Sequence, residues 1–267
     1  MTILESLILG IIQGLTEFIP VSSTAHLLIG QKLLGIPASD GMFSFLVIVQ
    51  LGTILSLVIY FWKDLWVLIK AFFAKPFSTP ENRIGWYIII ATIPALLAGY
   101  LLRDVVEALF RTPLLEAAIR LLAAAILLVL AEWSTKKSRK LDSMTWQDAL
   151  FIGILQVIAV FPGASRSGTT ISGGMFRGFD RKSAARFAFL ISIPVMLAAG
   201  GYEMLDVIKM PELGQFLHPL VVGFVSAAII GWLAIKWLLN YLSKHSLYVF
   251  SAYCAIIGIA VLVISII

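Results

Sequence analysis

The chain is 267 residues long, 60% hydrophobic and 13% charged, with a mean hydropathy of +0.98 and a formal net charge of +5. Soluble domains run at roughly 45–50% apolar and 25% charged residues, so these values exclude a soluble chain and indicate an all-α integral membrane protein; the period-2 alternation of a β-barrel is absent. The single cysteine, Cys254, lies in an apolar run and excludes an intrachain disulfide, and no cleavable signal peptide is expected, because polar residues interrupt the first apolar stretch and no basic region leads it.

A helix needs about 20 apolar residues to cross about 30 Å of hydrocarbon. The first stretch, Leu9 to Ala25 followed at once by His26, is apolar enough for a bilayer yet carries Gln13, Thr16, Glu17, Ser22, Ser23 and Thr24. Polar groups at membrane depth are costly unless they face a cavity or a partner, so this cluster marks a functional site. Leu27 to Leu34 is too short to span, and residues 35–41 read as a loop. Phe43 to Trp62 is a full crossing that closes on the interfacial pair Trp62 and Lys63. A basic loop with Lys63, Lys70, Lys75 and Arg83, broken by Pro76 and Pro80, is expected to follow. Ile84 to Leu102 crosses back with Pro94 in its middle, whose freed carbonyl calls for neighbouring helices. Leu114 to Trp133 crosses again; within it Arg120, with Glu116 and Glu132, reads as a structural ion pair or a snorkelling side chain. The hydrophilic run Ser134 to Asp142 then divides the chain.

The second half begins like the first. Gly153-Ile154-Leu155-Gln156 repeats Gly10-Ile11-Ile12-Gln13, and Phe161-Pro162-Gly163-Ala164-Ser165 repeats Phe18-Ile19-Pro20-Val21-Ser22-Ser23 with one residue removed. Three long crossings follow: Arg186 to about Met204, Leu217 to Leu239, and Leu247 to Ile267. The arms beside Pro20 and Pro162 are about 8 to 15 residues, or about 12 to 22 Å as helix, which predicts a re-entrant hairpin in each half. One hairpin plus three crossings is an odd number of passages, so the halves are expected to lie inverted. The predicted architecture is a polytopic bundle of six transmembrane helices plus two re-entrant helical hairpins in an inverted-topology repeat: residues 1–133, a basic cytoplasmic linker 134–145, and residues 146–267.

Charge bias supports this topology. With the N-terminus outside, Lys63, Lys70, Lys75, Arg83, the cations of 136–140, those of 177–186, Lys236 and Lys244 fall on one side, against Lys32, Arg103, Arg111 and Lys209 on the other. The richer side is the cytoplasm, which leaves both termini extracytoplasmic.

Gln13 and Glu17 share a helix face. Pro20 ends that arm, and Ser22, Ser23 and Thr24 are good N-cap residues for the returning one. Pro162-Gly163-Ala164-Ser165-Arg166-Ser167-Gly168-Thr169-Thr170 has the same design, with glycines that let backbone approach a ligand. Two helix N-termini then meet near one point, which suits an anion and phosphate above all, and Arg166 adds a planar fork that matches phosphate oxygens. Gln13 and Gln156 read as hairpin braces; His218 and His245, beside loops, read as interfacial.

The run from Gln13 to His26, together with Pro162 to Gly168, closely resembles the two signatures of the undecaprenyl pyrophosphate phosphatases of the bacitracin-resistance type, and the likeness extends over the whole chain. The resemblance implies a hydrolase of the bacterial cytoplasmic (inner) membrane that removes the terminal phosphate from undecaprenyl pyrophosphate, the C55 lipid carrier of cell-wall synthesis. It also implies a divalent cation, Mg²⁺ or Ca²⁺. By that likeness Glu17, with Gln13, serves the metal and the pyrophosphate, and Ser23 with His26 supplies nucleophile and base. Arg166 with Ser165, Ser167 and Thr170 holds phosphate, with Ser22 and Thr24 at the facing bend. The family's first motif begins with Glu or Gln, so Gln13 removes one candidate metal carboxylate without breaking the match. Bacitracin would act only indirectly, through the shared lipid; a homodimer is left open and no nucleic acid is expected.

In phosphoryl transfer, positioning and charge neutralisation matter more than covalent help. Ser23 attacking with His26 as base is one route; His26 as nucleophile, or as base for a water, are routes the residues leave open. The site is expected to open extracytoplasmically. Paired hairpin tips in inverted repeats also serve secondary transporters, so a lipid-phosphate flippase or anion transporter is the alternative.

Overall fold

In the computed structural model, Thr2 opens the first helix with a capping box, accepting from Glu5 N while Glu5 accepts from Thr2 N at 2.7 Å. All residues are described except 38–39, 74–75, 103–113, 135–137, 162–163, 209–212 and 267. The helices are α1 (Ile3–Phe18), α2 (Ser23–Leu33), α3 (Asp40–Tyr60), α4 (Trp62–Phe72), α5 (Pro80–Leu101), α6 (Leu114–Trp133), α7 (Trp146–Gln156), α8 (Arg166–Phe176), α9 (Arg181–Val207), α10 (Leu213–Tyr241) and α11 (Tyr248–Ile266), with 3-10 turns at Leu141–Ser143 and Val157–Val160. No strand occurs among the described residues. Helices α5, α9, α10 and α11 are long and apolar enough to cross a membrane, and α3 with α4 makes a fifth if that bent pair is one span. This is a polytopic helical membrane protein. The stretch Leu114–Trp133, expected to cross, is helical and forms α6. The expectations that rest on Lys75, Arg103, Arg111, Lys136, Lys137, Pro162, Gly163 and Lys209, and on the side chain of Glu116, lie outside the described residues.

Two short arms fold back on each other in each half. Gly30 of α2 lies against Leu9 and Ile12 of α1, and Gly173 of α8 lies against Ile152 and Leu155 of α7. Helices α2 and α8 are both 11 residues long and both start on a serine cap, Ser22 or Ser165. Each ends two residues before a glycine of positive φ, Gly35 at 66° or Gly178 at 81°.

The first arm of each hairpin packs on a helix of the other half: α1 on α10, and α7 on α5. Helix association in lipid depends on close van der Waals fit, which small residues permit. A Cβ on Gly10 would sit 2.5 Å from the Gly223 carbonyl oxygen, and one on Gly153 would sit 2.6 Å from the Ala91 carbonyl oxygen. Helix α5 runs through Pro94 while packed against α7 and α9, in the company of helices that such a proline calls for. Below the first bend, Phe18 packs edge-on to Phe189 at 5.5 Å, and Phe61 joins at 6.4 Å.

The stretch after Trp62 departs from the expected basic loop. It is helical, and it turns 76° from α3. Asp64 in its first turn and Lys70 in its last complement the helix dipole. Trp66, Val67 and Ile69 remain exposed, and Lys70 lies over the Trp66 ring. Apolar side chains interleaved with charge at helical spacing, in a helix without a buried residue, make an amphipathic element. The prolines that suggested a loop act only farther on.

The linker is stapled to the second half. Arg139 N donates to the Gly178 carbonyl at 3.0 Å and Asp180 N donates to the Arg139 carbonyl at 2.9 Å. Asp148, fully buried at the start of α7, accepts from Arg139, Arg177 and Thr145. Burial alone would raise its carboxyl, but these hydrogen bonds outweigh that and bring it down to about 2. Glu132 is held by both Arg181 Nε and Nη2, at 2.7 and 2.6 Å, and by Leu247 N, so a cation of α9 reaches it from across the bundle.

Candidate active site

The α1 helix ends at Phe18 because Pro20 cannot continue it, and the chain turns through Ser22, whose backbone sits at φ 69° and ψ 91°. For a residue with a Cβ this is a strained conformation of the sort that clusters at functional sites. It is fixed by burial and by the cap that Ser22 Oγ makes to Ala25 N at 3.4 Å. In the other half Ser165 Oγ caps α8, accepting from Gly168 N at 3.1 Å. The bends touch directly: Ser167 Oγ donates to the Ile19 carbonyl at 3.3 Å, and a Cβ on Gly168 would meet Pro20 at 3.5 Å.

One carboxylate joins the motifs. Arg166 Nη2 donates to Glu17 Oε1, while Glu17 Oε2 accepts from Gln13 Nε2 at 2.8 Å and from Ser23 Oγ at 2.7 Å. The side chains of Glu17 and Arg166 are only 5% and 15% exposed, so the pair is largely withdrawn from solvent. Each ion is compensated by the other, as burial of charge requires. The spacing of Gln13 and Glu17 thus puts them in contact. Gln156, the matching amide of the second half, instead donates to the Ala91 carbonyl at 3.2 Å and ties α7 to α5.

His26 stands beside this network. Its Nδ1 lies 2.8 Å from the Ser22 carbonyl oxygen and its Nε2 lies 2.8 Å from the Tyr253 hydroxyl. Ser23 and His26, one route's nucleophile and base, are directed to other partners here: the serine hydroxyl reaches across the bend to Glu17, and the ring nitrogens meet the Ser22 carbonyl and the Tyr253 hydroxyl. Among the phosphate candidates, Ser165 and Ser167 approach each other at 3.3 Å beside the first bend. Thr170 is fully buried and donates to the Arg166 carbonyl at 2.7 Å, so it braces the helix that carries Arg166 instead of facing the bend. Thr24 lies half-buried in the first turn of α2. His218 and His245 are exposed, as expected for interfacial side chains, and His245 stacks on Tyr241.

Two residues of α11 that belong to neither motif reach the first bend. Tyr253 meets His26, and Cys254, fully buried, directs Sγ to the Pro20 carbonyl at 3.7 Å. The one sequence signal for Tyr253 is chemical: a phenol in an apolar helix needs a hydrogen-bond partner.

No group of three or more His, Cys, Asp or Glu converges among the described residues, so the donor set does not fit an all-protein metal cage. It does fit a hard cation that binds through one carboxylate, an amide oxygen and substrate phosphates, the usual manner for Mg²⁺.

The sequence that builds these bends has counterparts among known proteins. Residues 6–260 match the family described as Bacitracin resistance protein BacA. The chain belongs to the BacA family. Relatives named undecaprenyl-diphosphatase include that of Chlorobium phaeobacteroides (strain BS1), 40% identical over 98% of this chain and 96% of its own length. Those of Anaeromyxobacter dehalogenans (strain 2CP-1 / ATCC BAA-258) and Chloroherpeton thalassium are 42% and 41% identical, again over 98% of this chain and over 91% and 96% of theirs. The BacA match runs through both bends, Gln13 to His26 and Ser165 to Thr170.

Proposed function

We propose that the chain is an undecaprenyl-diphosphatase, a membrane hydrolase that converts undecaprenyl pyrophosphate to undecaprenyl phosphate and inorganic phosphate. The observation that carries this reading is the ion pair between Glu17 and Arg166, which joins the two motifs on a carboxylate that Ser23 at the start of α2 also meets, in a BacA-family chain. Relatives that bear a phosphatase name over nearly their whole length favour hydrolysis over transport.

A diphosphate and the Glu17 carboxylate are both anions suited to Arg166, so the substrate competes with Glu17 for the guanidinium. The remaining N–H groups at the starts of α2 and α8, with Ser165 and Ser167, hold the other phosphate oxygens. Glu17 and Gln13 would hold Mg²⁺ or Ca²⁺ with the substrate, and the bound ion would share the diphosphate's negative charge. Once Glu17 is drawn away, Ser23 Oγ attacks the terminal phosphorus and its proton passes to His26 Nε2. The bond from that phosphorus to the bridging oxygen breaks, undecaprenyl phosphate leaves, and water then releases inorganic phosphate from the serine.

The same reading extends to topology. The two hairpins are re-entrant, α3, α5, α6, α9, α10 and α11 cross, and the halves are inverted, as the matched caps, the matched glycine contacts and the exchanged packing of α1 and α7 support. Arg139, Lys140, Arg177 and Arg181 gather at one end and mark the cytoplasmic face of the bacterial inner membrane, with the site opening opposite.

The test is to trap a phosphoenzyme from a prenyl pyrophosphate labelled at its terminal phosphate and to locate the label. Label on Ser23 is expected. Label on His26 would overturn the assignment of nucleophile and base.

A further inference from the structure

We propose that Tyr253 is a positioning residue for this reaction: from the last helix it holds the imidazole of His26 with its unprotonated nitrogen fixed at the bend. The proposal rests on the reading of His26 as the base.

The tautomer follows from the partners. The Ser22 carbonyl can only accept, so Nδ1, 2.8 Å away, carries the ring proton. In the neutral ring Nε2 is then an acceptor, and the Tyr253 hydroxyl 2.8 Å away donates to it. Two hydrogen bonds at opposite ends of an imidazole leave it one orientation. The rings lie nearly parallel, 12° apart with centroids at 5.6 Å, which limits rotation further.

The rest of the bend is built around this contact. The strained backbone of Ser22 turns its carbonyl toward Nδ1, and the neighbouring Cys254 ties α11 to the Pro20 carbonyl, so the phenol reaches His26 from an anchored helix. A packing role explains Tyr253 poorly, because its side chain is 40% exposed whereas Cys254 beside it is fully buried. During turnover the hydroxyl turns so that its oxygen accepts from Nε2–H as Nε2 takes the proton of the attacking oxygen, and it donates again when the ring is neutral.

The experiment compares phosphate release from farnesyl pyrophosphate by purified protein carrying Tyr253→Phe, Tyr253→4-aminophenylalanine or His26→Ala. Tyr253→Phe keeps the stacked ring and loses the donor, so kcat is expected to fall about tenfold, the worth of one hydrogen bond, with KM unchanged. 4-Aminophenylalanine restores a donor at the same place and is expected to recover most of the rate. Wild-type turnover in Tyr253→Phe beside an inactive His26→Ala would overturn the role of Tyr253 while leaving the reading of the site intact. Loss in Tyr253→Phe that the amine does not restore would mark a structural role and also overturn it. Activity in His26→Ala would remove the base itself, and the proposal with it.

Discussion

Arg166 and Glu17 lie 149 residues apart in the chain and are paired at the meeting point of the two hairpins. Each half contributes one charge, so neither motif is complete alone. Removing a single partner strands the other charge in largely buried surroundings, at a cost of about 3–5 kcal/mol. Arg166→Ala and Glu17→Ala should each lower the melting temperature and abolish phosphate release. The double variant should regain much of the stability and none of the activity. A double variant that melts as early as either single one would argue against direct pairing.

Close approach of the halves depends on glycines. Gly153→Val should lower stability by about 1–3 kcal/mol, the usual scale for overfilling a tight contact, since even a Cβ there would press on the Ala91 carbonyl at 2.6 Å. Gly201→Ala, where nothing lies within 4 Å, should be neutral. Thermal unfolding in detergent compares the two, and equal shifts would contradict the packing described.

Asp148 makes the linker staple sensitive to acid. Its carboxyl is held at about 2, below its ordinary value, so the unfolded chain binds the proton more readily than the folded one. The stabilisation is therefore complete above the ordinary carboxylate range and is lost as pH falls through about 2. Melting temperature should hold steady at mildly acid pH and then drop. Asp148→Asn should melt earlier at neutral pH and show a shallower acid fall, with Arg139 and Arg177 released.

A cation site with one carboxylate can be strengthened by a second. Gln13→Glu is expected to lower the Mg²⁺ concentration for half-maximal phosphate release by about tenfold, since a carboxylate binds a hard cation better than an amide does. Glu17→Gln should raise that concentration or remove the metal response. A metal titration unaffected by either change would exclude both from the cation site.

Much of this was legible from local pattern. The bends announced themselves because Pro20 and the serines break an apolar run, and helical spacing put Gln13 beside Glu17. The prediction that Arg166 stands near the first motif rested on the duplication and on the anion preference of helix starts, not on any local signal. What stayed hidden depends on the turn itself or on distant strands of the chain. Ser23 points to Glu17 because the Ser22 backbone takes a positive φ, which no spacing rule predicts. Tyr253 sits in a run whose apolar character masked one hydroxyl. The α4 helix was obscured by its lysines and by Pro76 and Pro80 beyond it, and the contact of Glu132 with Arg181 was hidden because Arg181 lies on another helix.

The central claim is that the two bends grip one diphosphate between them. Release of inorganic phosphate from C15 and C55 prenyl pyrophosphates by purified, detergent-solubilised protein, wild type against Arg166→Ala, tests it most directly. The account predicts release by the wild type and a loss of at least about 100-fold in the variant, the scale of removing one transition-state charge clamp. No release by folded wild type, or undiminished release by Arg166→Ala, would contradict it.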